Sequence, residues 1–173
     1  MPDRAITKTE RILSIYHLLT RCDEVSMQEL ISLLSVSKKT FSRDIAMLKK
    51  AGVQVRYSVK RQAFVLDEWK RIVPETPVSK SEVRYIAKIV RLITCIDDMP
   101  CENCDIWYAE NILGASKRTM QRDFSVLNAI GYEIKYEREE WNHHDAGSDV
   151  PPRRYYCDRP KGTFELSTFN SVF

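Results

Sequence analysis

Ser37-Lys38-Lys39-Thr40-Phe41-Ser42-Arg43-Asp44-Ile45-Ala46-Met47-Leu48-Lys49-Lys50-Ala51-Gly52-Val53-Gln54-Val55-Arg56-Tyr57 is the stretch on which the fold turns, because the chain contains it twice. After a shift of 79 residues it returns as Ser116-Lys117-Arg118-Thr119-Met120-Gln121-Arg122-Asp123-Phe124-Ser125-Val126-Leu127-Asn128-Ala129-Ile130-Gly131-Tyr132-Glu133-Ile134-Lys135-Tyr136. Ser, Lys, Thr, Arg, Asp, Leu, Gly and Tyr recur in register without a gap. One long offset means two copies of a domain rather than a solenoid, whose period would be shorter.

Each copy reads as a helix followed by a strand. Ser37 is an N-cap candidate. Phe41, Ile45 and Leu48 fall at i, i+4 and i+7 and form one apolar stripe. Gly52 stands where a helix ends in a left-handed turn. Residues 53–57 then alternate as a half-buried strand does. At about 100° per residue the face opposite the stripe carries Lys39, Arg43, Ala46 and Lys50. A cationic stripe with a small residue at its middle, starting at a helix N-terminus, suits insertion into a major groove. Taken alone, a stripe of this kind is more readily the solvated face of a basic helix. The duplication and the flanking elements favour the first reading.

The pattern Ser-x-x-Thr-x-x-Arg-Asp-x-x-x-Leu-x-x-x-Gly resembles the recognition helix of DeoR-type winged-helix transcription regulators, a group that includes the DNA-binding domains preceding WYL domains. The resemblance covers roughly residues 8–67 and, more loosely, 80–157. It implies that this helix enters the major groove of DNA. Regulators of that kind usually carry a C-terminal sugar-phosphate or WYL sensor domain. Here a second winged helix is expected in its place, so no ligand-sensing role is carried over and no small-molecule effector is identified.

Working outward, residues 8–21 form a first helix with Ile12, Leu13, Ile15, Tyr16, Leu18 and Leu19 on a wide apolar face, and Arg11 and His17 beside it. His17 reads as a helix histidine, not a ligand. Ser26-Met-Gln-Glu29 is a capping box opening a second helix with Leu30, Ile31, Leu33 and Leu34 apolar. A short turn at Ser35-Val36 leads to the recognition helix, completing a helix-turn-helix. Strands at residues 53–59 and 63–66 flank Lys60-Arg61-Gln62, a hairpin tip whose two cations fit phosphates beside the groove.

Pro74 and Pro77 mark a linker at residues 71–80, separating an N-terminal winged helix, 1–70, from a C-terminal one, 81–158. Ser79 or Ser81 caps the next helix, with Tyr85, Ile86, Ile89, Val90 and Ile93 as its core face. About five extra residues of the second copy fall within 94–105. Asp105 is expected to cap a helix at 106–113. The second recognition-like helix keeps Arg118 and Arg122 but has Ala129 where the first has Lys50. Strands at 132–136 and 153–157 pair around a long, acidic wing loop, 137–152. A tail, 159–173, carries Phe164, Phe169 and Phe173 and suggests docking on the body or on a second subunit.

The net charge of +3 hides a split. Residues 1–73 hold 14 Lys+Arg against 8 Asp+Glu, net +6, and residues 74–173 hold 13 against 16, net −3. Polyanion affinity follows local cationic density, so the first unit dominates DNA binding. No apolar run approaches the length of a membrane span, and Met1-Pro-Asp-Arg4 lacks the apolar core of a signal peptide. A cytoplasmic, nucleoid-associated protein is expected. Five cysteines, an odd number, argue against a disulfide framework. Cys95, Cys101, Cys104 and Cys157 have the donor type of a zinc site, with His143 or His144 as alternative fourth ligands. One Cys-x-x-Cys without a second pair is a weak pattern. Reduced thiols are the reading here, a redox switch the alternative, and no metal or cofactor is expected. Pro100-Cys101-Glu-Asn-Cys104 with Cys22-Asp-Glu24 imitates a zinc deaminase signature, but its halves lie in different copies. No Gly-rich phosphate loop or nucleophile–base site accompanies it, so the chain is not read as an enzyme.

The expected protein is therefore helix-rich α+β, two tandem winged helix-turn-helix domains, a bacterial-type transcription regulator of double-stranded DNA. Ser37 caps; Lys38 and Thr40 hold phosphate; Ser42 joins the DNA-facing set. Lys39 and Arg43 reach base edges. Lys49, Lys50, Lys60 and Arg61 bind phosphates, and Lys117, Arg118, Thr119 and Arg122 assist from the second copy. Either both helices read adjacent major grooves, or the second copy pairs two chains into a homodimer, which the acidic loop favours. Two rivals are a plasmid-type replication initiator, which would bind direct repeats, and a protein–protein tandem winged-helix module of a chromosome-organising complex. The latter has no need of the Lys39/Arg43 face.

Overall fold

Thr7, Ser26, Ser37 and Ser116 start four helices in the same way, each an extended residue whose hydroxyl accepts the N–H three positions on. The computed structural model describes residues 6–22, 25–69, 79–98, 106–138 and 153–157, with side chains for all of these except 67–69, 106–107, 136–138 and 153–157. The elements run α1 (Lys8–Arg21), β1 (Val25–Ser26), α2 (Met27–Leu33), α3 (Lys38–Lys50), β2 (Val53–Ser58), β3 (Ala63–Trp69), α4 (Lys80–Asp98), α5 (Ile106–Asn111), α6 (Lys117–Ala129), β4 (Ile134–Arg138) and β5 (Arg153–Cys157), a helix-rich α+β protein. The chain divides into two compact units, Met1–Ile93 and Thr94–Phe173.

In the first unit, α1 and α2 both open on full capping boxes, Thr7 with Glu10 and Ser26 with Glu29. Each box satisfies two N–H groups that a helix start otherwise leaves without partners. The core is the expected one: Ile12, Leu13, Ile15 and Tyr16 of α1 are buried, as are Leu30, Leu34, Phe41, Ile45 and Leu48. Ile31 and Leu33 of α2 are only half-buried. Gly52 ends the α3 turn at φ +94°, the left-handed conformation its place in the sequence requires. Three antiparallel strands in the order β1-β3-β2 complete the unit.

β1 is too short to leave any alternation in the sequence and was not expected; it pairs Val25 with Phe64 and Ser26 with Ala63. Ser26 thus closes the sheet edge and caps α2 at once. β3 runs three residues past the expected end at 66. The apolar alternation stops at Asp67-Glu68, but the backbone ladder continues to Val53↔Trp69 across a register shift between Val53 and Val55. Most of the expected linker, residues 71–78, lies outside the described residues. Lys80, placed in that linker, is instead the first residue of α4. Ser79 is its cap, accepting the Glu82 N–H at 3.2 Å.

The first unit extends to Ile93 because the start of α4 docks on its helices. Tyr85 meets Thr9 hydroxyl to hydroxyl at 3.3 Å, and the Lys8 ammonium lies 4.8 Å from the centroid of the Tyr85 ring. Ile86, Ile89 and Ile93 are buried as expected, joined by Leu92, Cys95 and Ile96. Thr94–Asp98, within the expected insertion, continues the helix; the remainder of that insertion and the Asp105 cap lie outside the described residues.

In the second unit α5 stops at Asn111, short of the expected 113, and Gly114 follows at φ +57°. The Tyr108 hydroxyl donates to Asp98 Oδ2 at 2.8 Å. Met120, Phe124 and Leu127 form the buried stripe of α6, and Gly131 repeats the left-handed turn of Gly52 at φ +95°. β4 pairs with β5 antiparallel from Ile134↔Cys157 to Arg138↔Arg153. It begins two residues later than expected: the Tyr132 N–H still donates to the Leu127 carbonyl at 3.1 Å, and Asn128 holds Ile134, its Oδ1 accepting the N–H at 2.8 Å and its Nδ2 donating to the carbonyl at 3.2 Å. Glu137 and Arg138, expected in the wing loop, are the end of β4. Residues 139–152 and the tail 159–173 lie outside the described residues.

Candidate nucleic-acid interface

The 3.6-residue period of α3 sorts its side chains sharply. Phe41, Asp44, Ile45, Met47 and Leu48 are buried. Lys38, Lys39, Ser42, Arg43, Ala46, Lys49 and Lys50 are exposed, and Thr40 half-exposed. The neighbours Arg43 and Asp44 therefore part company. Asp44 turns inward and takes a two-pronged ion pair from Arg11 of α1, Nε to Oδ2 at 2.5 Å and Nη2 to Oδ1 at 3.1 Å. The carboxylate next to Arg43 in the sequence is thus withdrawn from the face that Arg43 shares with Lys39. Arg11 was not among the expected site residues. Its signal was a lone cation at the margin of the apolar face of the first helix.

At the start of α3 the Ser37 hydroxyl accepts the Thr40 N–H at 3.1 Å and lies 3.0 Å from the Thr40 hydroxyl. This end carries the positive end of the helix dipole, which favours an anion. Ser42 donates to the Lys38 carbonyl at 2.9 Å, so its hydroxyl is engaged on its own helix. At the far end, Lys50 forms an ion pair with Glu82 of α4. Lys38, Lys39, Arg43 and Lys49 are the other exposed cations of α3.

The β2–β3 hairpin places Lys60 and Arg61 at its exposed tip together with Val59, which is 80% exposed. Gln62 closes the turn at φ +51°, and the Arg61 N–H reaches the Ser58 hydroxyl at 3.4 Å. The hairpin is tied to α3 by three rings in series. Tyr57 packs on Phe64 with centroids 5.0 Å apart, and Phe64 meets Phe41 edge-on at 5.3 Å. Wing and helix are thus positioned by one aromatic contact chain.

The second unit repeats the cap on α6: the Thr119 N–H reaches the Ser116 hydroxyl at 3.3 Å, and the two hydroxyls lie 3.1 Å apart. Arg118 and Arg122 are exposed, and Lys117 and Thr119 half-buried. The distal cations are gone: Asn128, in the place of Lys49, grips β4, and Ala129 stands for Lys50. The cysteines are not assembled among the described residues. Cys95 is buried in α4; Cys101, Cys104, His143 and His144 lie outside the described residues, and the Cys157 side chain is not among those described. Among the described residues no group of three or more His, Cys, Asp and Glu is placed to hold a metal. His17 is buried in α1, and burial, helped by Arg21, lowers its pKa from 6.5 to about 4.

Helix, edge strand, helix, helix and hairpin, with a cationic outer face on the third helix, define residues 8–69 as a winged helix-turn-helix. Residues 11–58 match the family model of the DeoR-like helix-turn-helix domain, so this segment, from Arg11 through β2, is similar to that DNA-binding module. No curated protein and no solved structure matches the chain. Among the described residues no helix is long and apolar enough to cross a membrane.

Proposed function

We propose that this chain is a transcription regulator that binds double-stranded DNA sequence-specifically, with α3 in the major groove. One observation carries the reading: in a segment similar to the DeoR-like helix-turn-helix domain, Lys39 and Arg43 stand exposed on α3 while the adjacent Asp44 is buried against Arg11. Lys39 and Arg43 read base edges, arginine to guanine being the commonest specific contact. Lys38 and Thr40 hold a phosphate at the capped N-terminus, Ser42 lies on the same face, and Lys49, Lys60 and Arg61 hold flanking phosphates. The aromatic tie between wing and helix supports their acting as one surface. Residues 81–158 form a second winged helix, supported by the recurrence of the Ser-x-x-Thr cap, the left-handed glycine and a following strand pair. Its Lys117, Arg118, Thr119 and Arg122 assist DNA binding, or the unit pairs two chains into a homodimer. The protein acts in the cytoplasm at the nucleoid, without a cofactor and without catalysis.

The test is footprinting of the full chain on genomic fragments, followed by Arg43→Ala on the site found. The variant loses about 1–3 kcal/mol of binding and becomes indifferent at one base pair. Unchanged affinity and unchanged sequence preference would remove α3 from the groove.

A further inference from the structure

Lys50 is the last residue of α3, on the face that meets DNA in the reading above, and this inference rests on that reading. Its ammonium is held by the Glu82 carboxylate, with the lysine side chain 41% and the glutamate side chain 28% exposed. Glu82 is fixed there by its element. It lies in the first turn of α4, its N–H is bonded to the Ser79 hydroxyl, and Tyr85, one turn on, is anchored to Thr9 and Lys8 of α1. Residues three apart share a helix face, so the docking that seats Tyr85 also delivers Glu82 to Lys50. A carboxylate and a phosphate oxygen are rival acceptors for one ammonium, and a carboxylate at this place also repels the approaching phosphate. We propose that Glu82 occupies the seat of a DNA phosphate on Lys50 in the unbound protein, and that it thereby weakens binding to every duplex. An exposed pair of this kind is weak enough for DNA to displace or share it. The contact therefore attenuates binding without blocking it.

The experiment titrates the full-length chain with a mixed-sequence duplex several helical turns long, over a series of salt concentrations. Native protein, Glu82→Gln, Lys50→Ala and the double variant are compared, with thermal unfolding of each to show that it folds. Glu82→Gln binds about 3–10-fold more tightly than the native chain, and its plot of log affinity against log salt is steeper by about 0.9, one added phosphate contact. In the Lys50→Ala background the same change gains less than about half of that in log affinity. Equal affinity and slope for native and Glu82→Gln would overturn the inference and leave the DNA-binding reading standing. So would a gain of full size in the Lys50→Ala background, which would make Glu82 a distant repulsive charge instead of a partner of Lys50. A native chain that binds no duplex at low salt would overturn both together. Should Glu82→Gln fail to unfold cooperatively, Glu82→Ala serves instead, with the same gain in affinity and the same steeper salt slope expected of it, and no gain from it would overturn the inference.

Discussion

Asp44 follows Arg43 directly yet serves the opposite side of α3, and the two demand different experiments. Asp44 is 1% exposed, and its pair with Arg11 is two-pronged. Removing one member of a buried pair strands the other charge, whereas replacing both with apolar groups does not. Asp44→Ala therefore loses about 3 kcal/mol of stability in urea unfolding, and Arg11→Met combined with Asp44→Leu loses much less. His17, on α1 with Arg11, makes stability depend on pH on the acid side. Burial first, and Arg21 second, lower its pKa from 6.5 to about 4, so the folded chain holds it neutral while the unfolded chain protonates it between those values. The unfolded state then binds more protons, and stability falls as the pH drops. The contribution is full above 6.5 and is lost as the pH falls towards about 4, on the order of 3 kcal/mol. His17→Leu removes this slope from a pH series of urea midpoints while leaving the carboxylate titration below it.

At the scale of elements, what the sequence disclosed was whatever a short pattern of residue types determines. The Ser26–Glu29 box, the Ser37 cap, the apolar stripe of α3 and the left-handed glycines 52 and 131 each need particular residues at particular spacings, and each was legible. What depends on distant backbone was not: β1 is two residues long, β3 continues through Asp67-Glu68 on its ladder alone, and α4 docks on α1 through Tyr85. The site divides the same way. The exposed Lys39/Arg43 face followed from helical period, but the partners of Asp44 and Lys50 lie 33 and 32 residues away in sequence, and no local pattern names them. Asn128 belongs to the same category. Its two hydrogen bonds hold Ile134, the first residue of β4, a role invisible in a position that the earlier stretch fills with lysine. Asn128→Ala costs about 1–2 kcal/mol. Hydrogen exchange is the measurement to use, with the Ile134 amide losing protection ahead of the α6 amides.

At the scale of the whole molecule, the charge split bears on the division of labour proposed for the two winged helices. Residues 1–73 carry net +6 and residues 74–173 net −3, and the second helix lacks the distal cations because one position grips β4 and the other is alanine. Long-range attraction to a polyanion is therefore concentrated in residues 1–73. If both helices read adjacent major grooves about 34 Å apart, a monomer acts as a pseudo-dimer, and the two arginines in equivalent positions carry comparable weight. If the second unit instead pairs two chains, the first units read the two halves of a palindrome. Arg122 then contributes little. The charge split favours the second arrangement. Arg43→Ala is accordingly expected to lose about 1–3 kcal/mol of specific binding, and Arg122→Ala less than about 1 kcal/mol with no change in base preference. Light scattering without DNA then shows a dimer, and the footprint shows two half-sites related by a dyad. Equal losses for the two arginines, on a monomer covering one continuous asymmetric site, would instead establish that both copies read the duplex.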